Sequence, residues 1–137
     1  MKRNTLVVVL GLLASSTTFA CPNLAGTFRC GHEAGTTVIT QHLDGQSWSY
    51  TFEFPSDPSS VSVVADGTAR NYGSLHSGNT SFSCEADQVL HESWSESGDV
   101  LGSTTFTLDS RGDIQSVSTV TVGGNIASTS SETCARQ

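Results

Sequence analysis

The chain has 137 residues and carries 13 acidic against 6 basic side chains. Past residue 20 it contains no lysine, and its only cations are Arg29, Arg70, Arg111 and Arg136, so that part has a net charge of −9 (4 minus 13). Nucleic acid and anionic membrane surfaces are thereby excluded as partners, because both are bound through basic patches, and the acid surplus favours a soluble monomer.

Met1-Lys2-Arg3-Asn4 is a short positive start, Thr5 to Ala14 is an apolar run, and small residues lead to Thr18-Phe19-Ala20. Charge, apolar core and small-residue site in that order define a secretory signal peptide. The apolar run is about 10 residues, whereas a bilayer needs about 20. Cleavage is expected after Ala20, leaving residues 21–137 as one domain in the periplasm or outside the cell. Acylation of Cys21 as a lipoprotein is the alternative. Thr18 suits it poorly, and it would leave an odd thiol among Cys21, Cys30, Cys84 and Cys134.

No helical periodicity follows residue 20. Short alternating runs recur between Gly, Asp, Asn and Pro, the pattern of an all-β meander. Strands are expected over about 25–31 and 36–43, then a turn at Asp44-Gly45. The third strand has the strongest alternation, with Trp48, Tyr50, Phe52 and Phe54 on one face and Ser47, Ser49, Thr51 and Glu53 on the other. One face should therefore be buried and one wet. Pro55 ends it. Ser60 to Ala65 follows, with Thr68 to Tyr72 able to pair back onto it, and Gly73 to Gly78 forms a loop. Further strands are expected over 80–85, 88–96, 100–108, 113–122 and 126–134, with turns at Ser97-Gly98-Asp99, Asp109-Ser110-Arg111-Gly112 and Gly123-Gly124-Asn125.

Some eight to ten strands joined by tight turns most simply form one small up-and-down antiparallel β-barrel. Closure removes the sheet edges that a Thr- and Val-rich chain would otherwise expose. A β-sandwich is the competing architecture, but it needs a long crossover. Leu24-Ala25-Gly26-Thr27-Phe28 resembles the Gly-x-aromatic element that opens the first strand of the calycin superfamily, which includes lipocalins. The resemblance implies a barrel whose closed end is filled by Phe28, with Gly26 permitting the entry into the strand.

Four thiols in an exported chain make two disulfides. Their separations of 9, 54 and 50 residues lack the close pairs of a zinc site, so neither a metal nor another cofactor is expected. Strand parity puts Cys30 and Cys84 on inner faces with Phe28 and Phe82, while Cys21 precedes the first strand and Cys134 ends the last. Cys30–Cys84 and Cys21–Cys134 are therefore the favoured pairs.

Phe28, Trp48, Tyr50, Phe52 and Phe82 are candidates either for simple core or for the lining of an apolar pocket; small barrels often hold little beyond their own side chains. Some of Ser116, Ser118, Ser128 and Ser130 must also face inward, and small polar residues there leave space. His32, His42, His76 and His91 are scattered and read as surface residues. No Gly-x-Ser-x-Gly or other nucleophile arrangement is present, and Glu92 and Glu96 read as a solvated face rather than a catalytic pair. Arg111-Gly112-Asp113 reads as a turn rather than an adhesion signal. Asn79-Thr80-Ser81 is a glycosylation sequon. The expectation is a non-enzymatic barrel holding a small apolar or amphipathic ligand, or else a protein-binding barrel such as a secreted protease inhibitor acting through its loops or its N-terminal arm.

Overall fold

The structure is a computed structural model that describes residues 21–31, 34–56, 58–72, 79–95 and 97–137. The expected signal peptide, His32, His76, Glu96 and the 73–78 loop lie outside the described residues. The fold is all-β: β1 (Gly26–Cys30), β2 (Thr37–Asp44), β3 (Ser47–Glu53), β4 (Ser60–Val64), β5 (Thr80–Glu85), β6 (Gln88–Trp94), β7 (Val100–Leu108), β8 (Ile114–Val122) and β9 (Asn125–Arg136). They form one antiparallel up-and-down sheet in the order β4-β3-β2-β1-β9-β8-β7-β6-β5.

Local chemistry explains the strand ends. Gly45, Gly98, Gly112, Gly123 and Gly124 all take positive φ in the tight turns, where a Cβ would clash with the backbone. Between these turns β-branched and aromatic side chains alternate with Ser and Thr. The alternation buries Phe28, Ile39, Tyr50, Val63, Phe82, Val89 and Ile114 in one core.

The chain starts in the middle of the sheet. β1 pairs with β2 on one side and with the end of β9 on the other. Every strand therefore neighbours its successor except β4, which hands over to β5 at the opposite edge. The continuous ladder is open between these two edges. The segment after β4 spans the gap, with Gly67 N donating to Phe82 O at 2.7 Å and Arg70 exchanging both backbone hydrogen bonds with Thr80. Thr68 to Tyr72 thus forms an isolated bridge towards β5 rather than pairing back onto β4. The Tyr72 hydroxyl ties the segment to β4 by accepting from Val64 N.

The disulfides correct the expected pairing. They are Cys21–Cys84 and Cys30–Cys134, not Cys30–Cys84 and Cys21–Cys134. The first and last strands are indeed neighbours, but β9 runs on to Arg136 and its register sets Cys134 directly opposite Cys30. Opposed residues of an antiparallel pair are the closest cross-strand positions, so these two thiols meet. The N-terminal arm leaves β1 towards β5, and Cys21 reaches Cys84 with a Cα–Cα distance of 5.2 Å. Two disulfides fit a protein made for an oxidising compartment.

Candidate functional site

One end of the sheet is covered by the N-terminal arm. The arm from Cys21 to Ala25 lies across it, with Leu24 only 2% exposed. Side chains of the sheet hold the arm: the Tyr50 hydroxyl donates to Pro22 O at 2.9 Å, and Gln41 Oε1 accepts from Leu24 N at 3.1 Å. Burial raises the Tyr50 phenol well above its ordinary pKa, since a phenolate there would lose its hydration.

Arg136 completes this closure. Its guanidinium carbon lies 4.8 Å from the centroid of the Phe28 ring, the arrangement of a cation–π contact. Nη1 donates to Ala25 O and Nε to Gly112 O, each at 3.1 Å. Its backbone N–H donates to Asp113 Oδ1 at 2.9 Å. Gly26 is required by this arrangement: a Cβ at that position would lie 2.5 Å from Arg136 Nη1 and 3.1 Å from the Phe28 ring. Phe28 itself is completely buried.

The adjacent turn explains Arg111-Gly112-Asp113. Asp109 Oδ1 accepts from the backbone N–H of Arg111 and of Asp113, at 2.8 and 3.0 Å. The Arg111 side chain folds back onto Asp109 and Asp113. The carboxylate of Asp113 is held within the fold by the Arg111 side chain and the Arg136 backbone N–H, and the tripeptide forms a turn.

Beyond Phe28 the interior opens into a cavity of about 270 Å³. Its wall is mainly apolar: Phe28, Phe52, Phe54, Phe82 and Phe106, with Ile39, Val63 and Ile114 and the Cys30–Cys134 disulfide. Polar atoms enter through Thr37, His91, Ser116 and Glu132. The strands place these groups by alternation. Phe52 and Phe54 share a face of the β3 segment and stack with ring centroids 6.2 Å apart. Phe82 on β5 faces His91 on β6 directly in the register, and their rings stack at 4.4 Å and 8°.

Of the five aromatic candidates, Phe28, Phe52 and Phe82 line this cavity. Tyr50 is buried and holds the arm. Trp48 packs on the core and accepts, through its carbonyl, a hydrogen bond from Ala65 N. Ser116 faces inward as alternation demands, while Ser128 and Ser130 are exposed and Ser118 bonds to Thr104 across the ladder. His91 departs from the surface role expected of it, because its strand parity places it beside Phe82; His42 is exposed. Phe54, on the same aromatic face of the third strand as Trp48, Tyr50 and Phe52, also lines the cavity; Glu132 and Arg136 were missed altogether. Inner-face parity with Cys134 is the signal that could have found Glu132, two residues away on the same strand. Among the described residues no group of three or more His, Cys, Asp or Glu side chains is placed to hold a metal.

Comparison with protein-family models, curated proteins and solved structures finds no match for this chain.

Proposed function

We propose that this chain is an exported, non-enzymatic binding protein that holds a small apolar or amphipathic molecule in the phenylalanine-lined cavity, in the manner of the calycin barrels its first strand resembles. The observation that carries this reading is the cavity itself: five phenylalanines surround space that no side chain of the described residues fills. An apolar cavity of about 150 Å³ accepts benzene, so about 270 Å³ suits a molecule of roughly a dozen heavy atoms or fewer. Ser116, His91 and Glu132 supply the few polar groups that orient a ligand in an otherwise apolar site.

The test is native mass spectrometry of the oxidised protein purified from its own host, with titration of a fluorescent hydrophobic probe. A bound small-molecule mass, or probe fluorescence that Ser116→Leu abolishes by filling the cavity, supports the reading. A clean protein mass together with no probe response in the parent protein sinks it.

A further inference from the structure

The polar groups of the phenylalanine-lined cavity favour one sign of charge. Among the described residues Glu132 supplies its only carboxylate, and no arginine or lysine lines it. Arg136 sits over the Phe28 ring, but its guanidinium donates to Ala25 O and Gly112 O. Ser116 donates its hydroxyl proton to Glu132 O at 3.4 Å, so what it can still offer a ligand is its lone pairs. Phenylalanine rings take a cation on their faces. A carboxylate in the cavity would find none of these groups favourable, whereas an ammonium suits all of them.

Strand pairing puts Glu132 next to the apolar wall. Phe106 of β7 is opposite Ser116 of β8, and Ser116 is opposite Glu132 of β9. The three occupy one row across the sheet, with about 4.8 Å between neighbouring strands. The Glu132 carboxylate lies against the bare backbone of Gly31, where a Cβ would come within 2.5 Å of Oε1. Gly31 follows Cys30, whose disulfide to Cys134 forms part of the cavity wall. The glycine leaves room for the carboxylate beside that wall. Glu132 is also exposed, as a charged group at the mouth of an apolar cavity should be.

We infer that the cavity takes a primary amine with an apolar body, the body among the phenylalanines and the ammonium at Glu132. This rests on the cavity being a ligand site, and it narrows the ligand from any apolar or amphipathic molecule to a cationic one. An ammonium brings three donors and no acceptor, which matches the Glu132 carboxylate and the Ser116 oxygen. The acid surplus of the chain draws cations towards the protein at long range; Glu132 supplies the local contact.

Isothermal titration calorimetry of the oxidised protein at neutral pH, with phenethylamine, phenethyl alcohol and phenylacetate, tests the inference. The three probes share a phenyl ring on a short chain and differ in the charge of the head. The amine should bind about five- to tenfold tighter than the alcohol, and phenylacetate more weakly than either. Glu132→Gln should bring the amine to the affinity of the alcohol and leave the alcohol unchanged, which also shows that the cavity of the variant is intact. Asp87→Asn removes an equal charge from the turn between β5 and β6, outside the cavity lining, and should keep the preference for the amine. Alcohol binding as tight as that of the amine, or a preference that Glu132→Gln retains or that Asp87→Asn also abolishes, overturns the inference and leaves the cavity standing as a ligand site. Binding of none of the three by the parent protein overturns it too, and the hydrophobic-probe titration then decides separately whether the cavity holds a ligand.

Discussion

Arg136→Met tests the closed end of the sheet most directly. Methionine keeps an unbranched stem beside Phe28 but removes the guanidinium. Three interactions go: the hydrogen bonds to Ala25 O and Gly112 O at 3.1 Å each, and the contact over the Phe28 ring at 4.8 Å. The backbone hydrogen bond to Asp113 stays. A cation–π contact at an exposed site contributes about 0.5–1 kcal/mol. Hydrogen bonds from a charged donor contribute about 1.5–3 kcal/mol when desolvated, but Arg136 is exposed, so together they are better set near about 1–2 kcal/mol. The variant should lose about 2 kcal/mol in urea denaturation, or about 6–10 °C in Tm for a domain of this size. A double-mutant cycle with Phe28→Leu isolates the ring contact. Coupling of about 0.5–1 kcal/mol is expected. A stability loss under about 0.5 kcal/mol, the range of ordinary surface substitutions, would refute the assignment of Arg136 as the closing residue.

Tyr50→Phe removes the hydrogen bond to Pro22 O and should cost about 1 kcal/mol, with faster exchange of the Leu24 amide read by hydrogen exchange. Because burial raises the Tyr50 phenol, the neutral form is favoured in the fold. Its stabilisation is complete below the ordinary tyrosine pKa of about 10 and declines above it; ultraviolet titration should find this phenol protonated until the protein unfolds in alkali. Replacing Cys30 and Cys134 together by alanine opens a link across 104 residues and should lower stability by about 4–5 kcal/mol on the chain-entropy account. Non-reducing peptide mapping of the parent should find Cys21 joined to Cys84 and never to Cys134. Asp66 and Arg70 form two side-chain hydrogen bonds of 2.6 Å, and the Arg70 guanidinium holds the Asp66 carboxyl well below the usual carboxylate range. Its folded pKa is depressed, so its contribution is present above about pH 4 and is lost as pH falls further. Asp66→Asn should therefore be the less stable protein near neutrality, by the small amount a solvent-screened pair supplies, with the gap narrowing below about pH 4 in parallel urea titrations.

The strands were legible because their causes are local. Alternation on β3 separates Tyr50 from Ser49 whatever lies opposite, and Gly45, Gly98 and Gly112 mark turns because a positive φ is a property of one residue. The even number of cysteines in the described part, with the signal-like first 20 residues before them, likewise speaks for disulfides without any knowledge of the fold. Parity even brought Phe28, Phe52 and Phe82 to one interior.

What the tertiary structure alone decided depends on register between segments far apart in the chain. Cys30 meets Cys134 because β9 continues two residues past the cysteine before it ends. That continuation carries Arg136 onto Phe28, across more than a hundred residues, and no local pattern announces it. Strand pairing also sets Glu132 and His91 at the cavity wall. Alternation assigns a side chain to a face. Which other strand that face looks onto, and whether the space between is filled, follows only once all nine strands are paired.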